Sequence, residues 1–285
     1  MSMLRLSQNP LRRPDELALG ARDFYVEAAR RFAGPWILLV GGSDLASTRL
    51  RMAQSVVRFD ERPSYWSHAA LVLDVDAHDV LESTGVEVAL WPPSSTGPER
   101  NHVSFFKLRE YASDRRFPNL AVISVRELER PAHERTEHEA GHEAGHEAGH
   151  EHGDTRSLAE RARESALREH PGRGVHAFGP WVAAWASQVL APNGNPLLSD
   201  VPFPSTALID YVYASAGVDL LPAAATPALC PEALWASARY YAERHDLRVE
   251  AISRVRQPLA VVPEAPKNSA AEAYASFRSG KSKHA

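Results

Sequence analysis

The sequence predicts an α+β fold with a mostly antiparallel sheet, and three observations carry that expectation. Short apolar runs separated by hairpin-length polar turns crowd the first half of the chain. Helical amphipathic spacing dominates the second half. Between them the composition breaks abruptly at 132–154, so strands and helices are segregated along the chain rather than alternating.

Residues 1–33 read as a polar, Pro- and Arg-punctuated arm followed by a helix over Arg22–Phe32, which Gly34-Pro35 ends. The main domain is placed at 34–262. Trp36–Val40 is a buried-looking strand, and Leu50, Met52 and Val56 mark a helix over Ala46–Val57. His68–Val75, Val80–Glu82, Val86–Trp91, Val103–Leu108 and Leu120–Val125 read as strands. The segment 132–154 carries nothing apolar larger than Ala, so it contributes nothing to a core and is read as a solvated insertion. Helices are expected over Thr155–Glu169, Pro180–Leu190, Ser205–Ala216 and Pro231–Arg244, then a strand over Leu247–Val255. The Ala/Ser/Lys-rich stretch 263–285 reads as a flexible tail.

A chain of 285 residues with 44% apolar content can bury a proper core. Its 32 basic and 36 acidic residues give a formal charge of −4, which argues against a nucleic-acid partner. One cysteine, Cys230, excludes an intrachain disulfide and a Cys-rich zinc site. No apolar stretch approaches the roughly 18–20 residues that span a bilayer, so no membrane insertion is expected. The first residues lack the apolar core of a signal peptide, and the expectation is a cytoplasmic protein in the producing cell, with export by a signal-independent route left open.

The loudest motif is weak. His-Glu-x-x-His occurs three times, starting at His138, His142 and His146, and one register extends through Gly149 to His152 as in long zinc-protease patterns. A repeated HEAG tetrapeptide generates nearly all of this match. The stretch has no apolar face to pack, and each Gly costs a helix about 1 kcal/mol relative to Ala. The expectation is therefore no metal and no cofactor, with adventitious metal binding or a His-rich binding segment as the alternative and a zinc protease behind both. Gly280-Lys281-Ser282 lacks the first glycine of a phosphate loop, since position 275 is Ala, and there is no Gly-x-Ser-x-Gly elbow. Cys230, before a Pro-started helix, is a nucleophile candidate by position, while a buried structural thiol is the commoner use.

A quieter constellation carries more chemistry. Tyr65-Trp66-Ser67-His68 enters a strand, and Val80-Leu81-Glu82 presents a carboxylate fourteen residues after His68. If these segments are adjacent antiparallel strands, Glu82 can orient the His68 ring and stabilise its imidazolium. Ser205 opens a helix whose Leu208, Ile209 and Val212 share its face, so it points toward whatever that helix covers. A nucleophile there would have its anion stabilised by free N–H groups and the helix dipole. The plainer alternatives are a helix N-cap for Ser205, a half-buried structural His68 and a solvated Glu82.

These segments resemble the circularly permuted papain-like hydrolases, the permuted NlpC-type amidases and the lecithin–retinol acyltransferase type. The aromatic-Ser-His-x-Ala-Leu step lies at Trp66–Leu71 and the valine-x-Glu step at Val80–Glu82. The family's Cys-Ser-x-Leu-Val helix, with its later Gly-Val-x-Leu, aligns on Ser205–Ile209 and Gly217–Leu220. A Pro-x-x-Leu-x-x-Ser element falls at Pro231–Ser237, which leaves Cys230 outside the nucleophile slot. The resemblance covers roughly 34–240 without the insertion. It implies a papain-like fold whose sheet packs against helices that include the nucleophile-bearing one. It also implies an acyl hydrolase or acyltransferase acting on a peptide amide, such as a cell-wall peptide, or on a lipid ester. The implied roles are nucleophile at Ser205, general base at His68 and orienter at Glu82. Trp66 and Trp91 are candidates to line a substrate groove, with core packing as the alternative. The family nucleophile is Cys, and here it is Ser, which cannot be pre-ionised as a thiol can. A deliberate Cys-to-Ser replacement, a natural serine enzyme and a non-catalytic binding module with a degenerate cleft all remain open.

Overall fold

The computed structural model describes residues 15–88 apart from 33, 59 and 77, together with 103–125, 160, 164, 175–190, 194–221, 229–244 and 249–256. The elements in chain order are β1 (Asp15–Glu16), α1 (Ala21–Arg31), β2 (Trp36–Gly41), α2 (Leu45–Ala53), β3 (His68–Asp74), β4 (Thr84–Val88), β5 (Val103–Lys107) and β6 (Asn119–Val125). Then follow α3 (Val175–Leu190), α4 (Pro204–Ser215), α5 (Pro231–Arg244) and β7 (Val249–Val255). The fold is α+β.

Seven strands form one sheet in the order β1-β7-β6-β2-β3-β4-β5. The six longer strands are antiparallel throughout, and the two-residue β1 joins the edge parallel to β7. The central strands β2 and β6 are buried along their whole length. Their near-continuous apolar sequences, WILLVG and NLAVISV, follow from cover on both faces, which leaves no position where a polar side chain reaches water.

Strand alternation sorts the core into two. On one face Trp36, Leu38, Val40, Ala70 and Val72 pack with Phe24, Tyr25 and Ala28 of α1. On the other, Ile37, Leu39, Ala69 and Leu71 pack with α3, α4 and α5 through Trp185, Leu208, Ile209, Val212 and Leu234. Local rules fix the helix ends. The Asp44 side chain accepts from the Ser47 backbone N–H at 2.8 Å and so starts α2. Pro204 occupies the first turn of α4, and Gly217, at φ +81°, takes the left-handed position after its end that a Cβ would strain.

One expected strand is absent. Val80–Glu82 forms a short 3-10 helix, and β4 starts two residues later at Thr84. The Asp79 carboxylate caps the Leu81 N–H at 3.1 Å and the Asp79 carbonyl takes the Glu82 N–H at 2.9 Å, so local hydrogen bonds outcompete the extended form. The insertion at 132–154, the expected helix at Thr155–Glu169 other than residues 160 and 164, the tail 263–285 and Trp91 lie outside the described residues.

Candidate acid–base site

His68 is placed by the end of β2. The Val40–His68 pairing puts its side chain on the face of Val40, Ala70 and α1. Just before it, the Ser67 N–H donates to the Val40 carbonyl at 2.7 Å, and the Ser67 hydroxyl accepts from the Gly42 N–H at 3.0 Å. Gly41 admits this close approach: a Cβ there would sit 2.0 Å from the Tyr65 carbonyl oxygen.

The carboxylate that meets His68 is Glu87. The Leu71–Val86 pairing sends Val86 and Val88 to the α4 face, so Glu87 between them points to the His68 face. Nε2 of His68 lies 2.8 Å from Glu87 Oε2, with the two side chains only 15% and 11% exposed. The same oxygen accepts a hydrogen bond from the Tyr111 hydroxyl. The Tyr111 ring stacks on the His68 ring, with centroids 6.0 Å apart and planes 24° apart. Burial, and then the negative charge of Glu87, push the Tyr111 phenol well above its ordinary range, so it stays a neutral donor.

A carboxylate can only accept, so Nε2–H faces Glu87, and the other ring nitrogen, Nδ1, makes no hydrogen bond among the described residues. Such an arrangement can serve as an oriented base: a carboxylate that fixes the ring angle can also stabilise an imidazolium.

Glu82 is not part of it. Its carboxylate pairs with Arg109 at 2.5 Å, on side chains 40% and 60% exposed. The β3–β4 hairpin runs through Thr84–Val88 with an irregularity between Val72 and Asp74, which carries position 87 rather than 82 alongside His68. The Glu87 signal in the sequence was a carboxylate flanked by Val86 and Val88, which reads as an outward-facing strand position.

Ser205 and His68 are not brought together. Ser205 is 1% exposed in the first turn of α4, and its hydroxyl has no hydrogen-bond partner among the described residues. Leu208, Ile209 and Val212, which share its side of α4, pack on the face of Leu39 and Leu71. His68 has the parity of Ala70 and Val72, so the sheet lies between the two groups. The helix docks on the sheet as its periodicity implied; the face it docks on is the one His68 does not use.

Trp66 is fully buried against Trp235, ring centroids 5.2 Å apart, and so presents no surface to a ligand. Cys230 is a free, buried thiol pushed up to about 12, chiefly by burial, and is protonated at neutral pH. Among the described residues no group of three or more His, Cys, Asp or Glu could hold a metal ion. No described helix is long and apolar enough to cross a membrane. No family model matches the chain, and no curated protein matches it.

Proposed function

We propose that the frame is permuted papain-like and that the chain is an acyl hydrolase or acyltransferase acting on an amide or ester, with His68 as general base and Glu87 as its orienter. The observation that carries this reading is the 2.8 Å contact between His68 Nε2 and Glu87 Oε2, which leaves Nδ1 as the proton acceptor. The chain order supports it as well: the strand bearing His68 precedes the helix that resembles the family's nucleophile helix.

In this reading the attacking group is a water, or the hydroxyl of an acceptor, lying against Nδ1. As its oxygen bonds to the acyl carbon, its proton passes to Nδ1, and Glu87 stabilises the imidazolium so formed. The imidazolium then returns that proton to the leaving nitrogen or oxygen as the acyl bond breaks. Ser205 takes no part, because its hydroxyl is sealed on the far face of the sheet.

The test is a panel of peptide amides and lipid esters hydrolysed by the full chain and by single variants. His68→Ala and Glu87→Gln are each expected to lose on the order of 10²–10⁴ in kcat/KM, while Ser205→Ala stays within about twofold of the parent. Loss of activity in Ser205→Ala, or strong new activity in Ser205→Cys, would overturn the assignment of the attacking group. A second reading, a binding module on the same frame, is favoured by the buried hydroxyl at the family's nucleophile position, which has no hydrogen-bond partner among the described residues. Silence across the panel in every variant supports that reading instead.

A further inference from the structure

We propose that Tyr111 is a positioning residue that shares Glu87 Oε2 with His68 and thereby sets how strongly that carboxylate holds the protonated imidazole. Its meaning for catalysis rests on His68 acting as the base; the linkage itself rests on geometry alone. Two donors, the phenol and the imidazole, converge on one carboxylate oxygen in a nearly enclosed site.

The phenol is held there by its surroundings. The Tyr25 hydroxyl of α1 donates to the Tyr111 carbonyl at 3.2 Å. The Tyr111 ring meets Phe106 of β5 edge-on at 5.3 Å and Phe117, ahead of β6, at 5.0 Å. Among the described residues, the titratable groups facing His68 and Glu87 are therefore Tyr111 itself and, behind it, Tyr25 of α1. Glu110 also acts on the phenol through its charge, and Arg254 of β7 acts on Tyr25.

The consequence has a definite sign. A hydrogen bond from a neutral phenol drains charge from the oxygen that faces the imidazole, so it weakens the pull of Glu87 on the imidazolium while fixing where the carboxylate points. Tyr111 thus trades basicity of His68 for alignment. A ring that only packed would have no such effect, since Tyr111→Phe keeps the stacking and removes one oxygen.

The experiment is imidazole NMR on the full chain, with the His68 signals identified by their loss in His68→Gln. In Tyr111→Phe the midpoint of the His68 titration is expected to rise by about 0.5–1 pH unit, and the Nε2–H resonance to broaden as the carboxylate gains freedom. Should Tyr111→Phe fail to fold, the parent chain made with fluorotyrosine decides the matter. The more acidic phenol is a stronger donor, so the midpoint is expected to fall. A midpoint and an Nε2–H signal unchanged by either substitution would overturn the proposal. Hydrolysis on the panel is read separately: a shifted midpoint in a chain without hydrolytic activity refutes the acyl-hydrolase reading and leaves the Tyr111 linkage standing.

Discussion

At the scale of single residues, the two carboxylates near the β3–β4 hairpin have opposite fates because of what surrounds each. Glu82 sits in water with Arg109, an exposed pair worth at most about 1 kcal/mol. Glu87 is a charge inside a covered sheet and needs donors, which His68 and Tyr111 supply. Glu82→Gln is therefore expected to leave the His68 titration unmoved and the unfolding midpoint in urea nearly unchanged, whereas Glu87→Gln lowers the His68 midpoint. An effect of Glu82→Gln on the imidazole signal would contradict the assignment. His68 was legible in the sequence because an aromatic-Ser-His step leads straight into an apolar strand. Glu87 was not, because the Val-Glu-Val alternation suggests a sheet with one wet face. Around position 87 the strand is buried on both faces, so this charge marks a paired interior site rather than a surface.

At the scale of elements, the helix over Pro231–Arg244 was legible because its apolar spacing continues for several turns, while the three-residue segment Val80–Glu82 was decided by a single Asp79 cap. The start of α5 shows how an element is anchored by groups distant in sequence. Glu232 accepts from the Arg58 guanidinium at 2.8 Å and from the Ser64 hydroxyl at 2.7 Å. Its backbone N–H donates to the Gln54 side chain at 2.9 Å, and Gln54 in turn donates to the Trp66 carbonyl at 2.8 Å. Burial pushes the Glu232 carboxyl up, and the Arg58 charge and the Ser64 hydroxyl pull it back. Truncating Glu232 takes from Arg58, itself 17% exposed, one of its two carboxylate partners among the described residues, and leaves the buried Ser64 hydroxyl without the acceptor for its proton. Glu232→Ala is expected to cost about 3 kcal/mol in urea unfolding, and Glu232→Gln clearly less because it still accepts from Ser64. Equal losses in the two variants would show that the charge, not the hydrogen bond, dominates.

At the scale of the whole molecule, the sheet works as a partition. The order of segments along the chain conveyed that a His-bearing sheet would meet a Ser-bearing helix. It could not convey the face, because that depends on the parity with which the chain leaves the bend at Tyr65–Ser67, and one residue of difference flips every side chain. The partition can be tested with thiol chemistry, independently of any substrate. The native chain has one thiol, Cys230, buried and pushed up to about 12, so its thiolate fraction at pH 8 is on the order of 10⁻⁴. Alkylation by iodoacetamide should wait for unfolding and, in the folded chain, accelerate only as pH rises toward that value. In Ser205→Cys a second thiol takes a position 1% exposed, with His68 on the other face of the sheet. Both thiols are then expected to resist the reagent at pH 6–8, and both to react once urea opens the core. One equivalent reacting rapidly at pH 6, and losing that speed when His68→Ala is added, would mean a thiolate–imidazolium pair spans the two positions. The sheet could not then lie between them, and the attacking group in the proposed reaction would revert to residue 205.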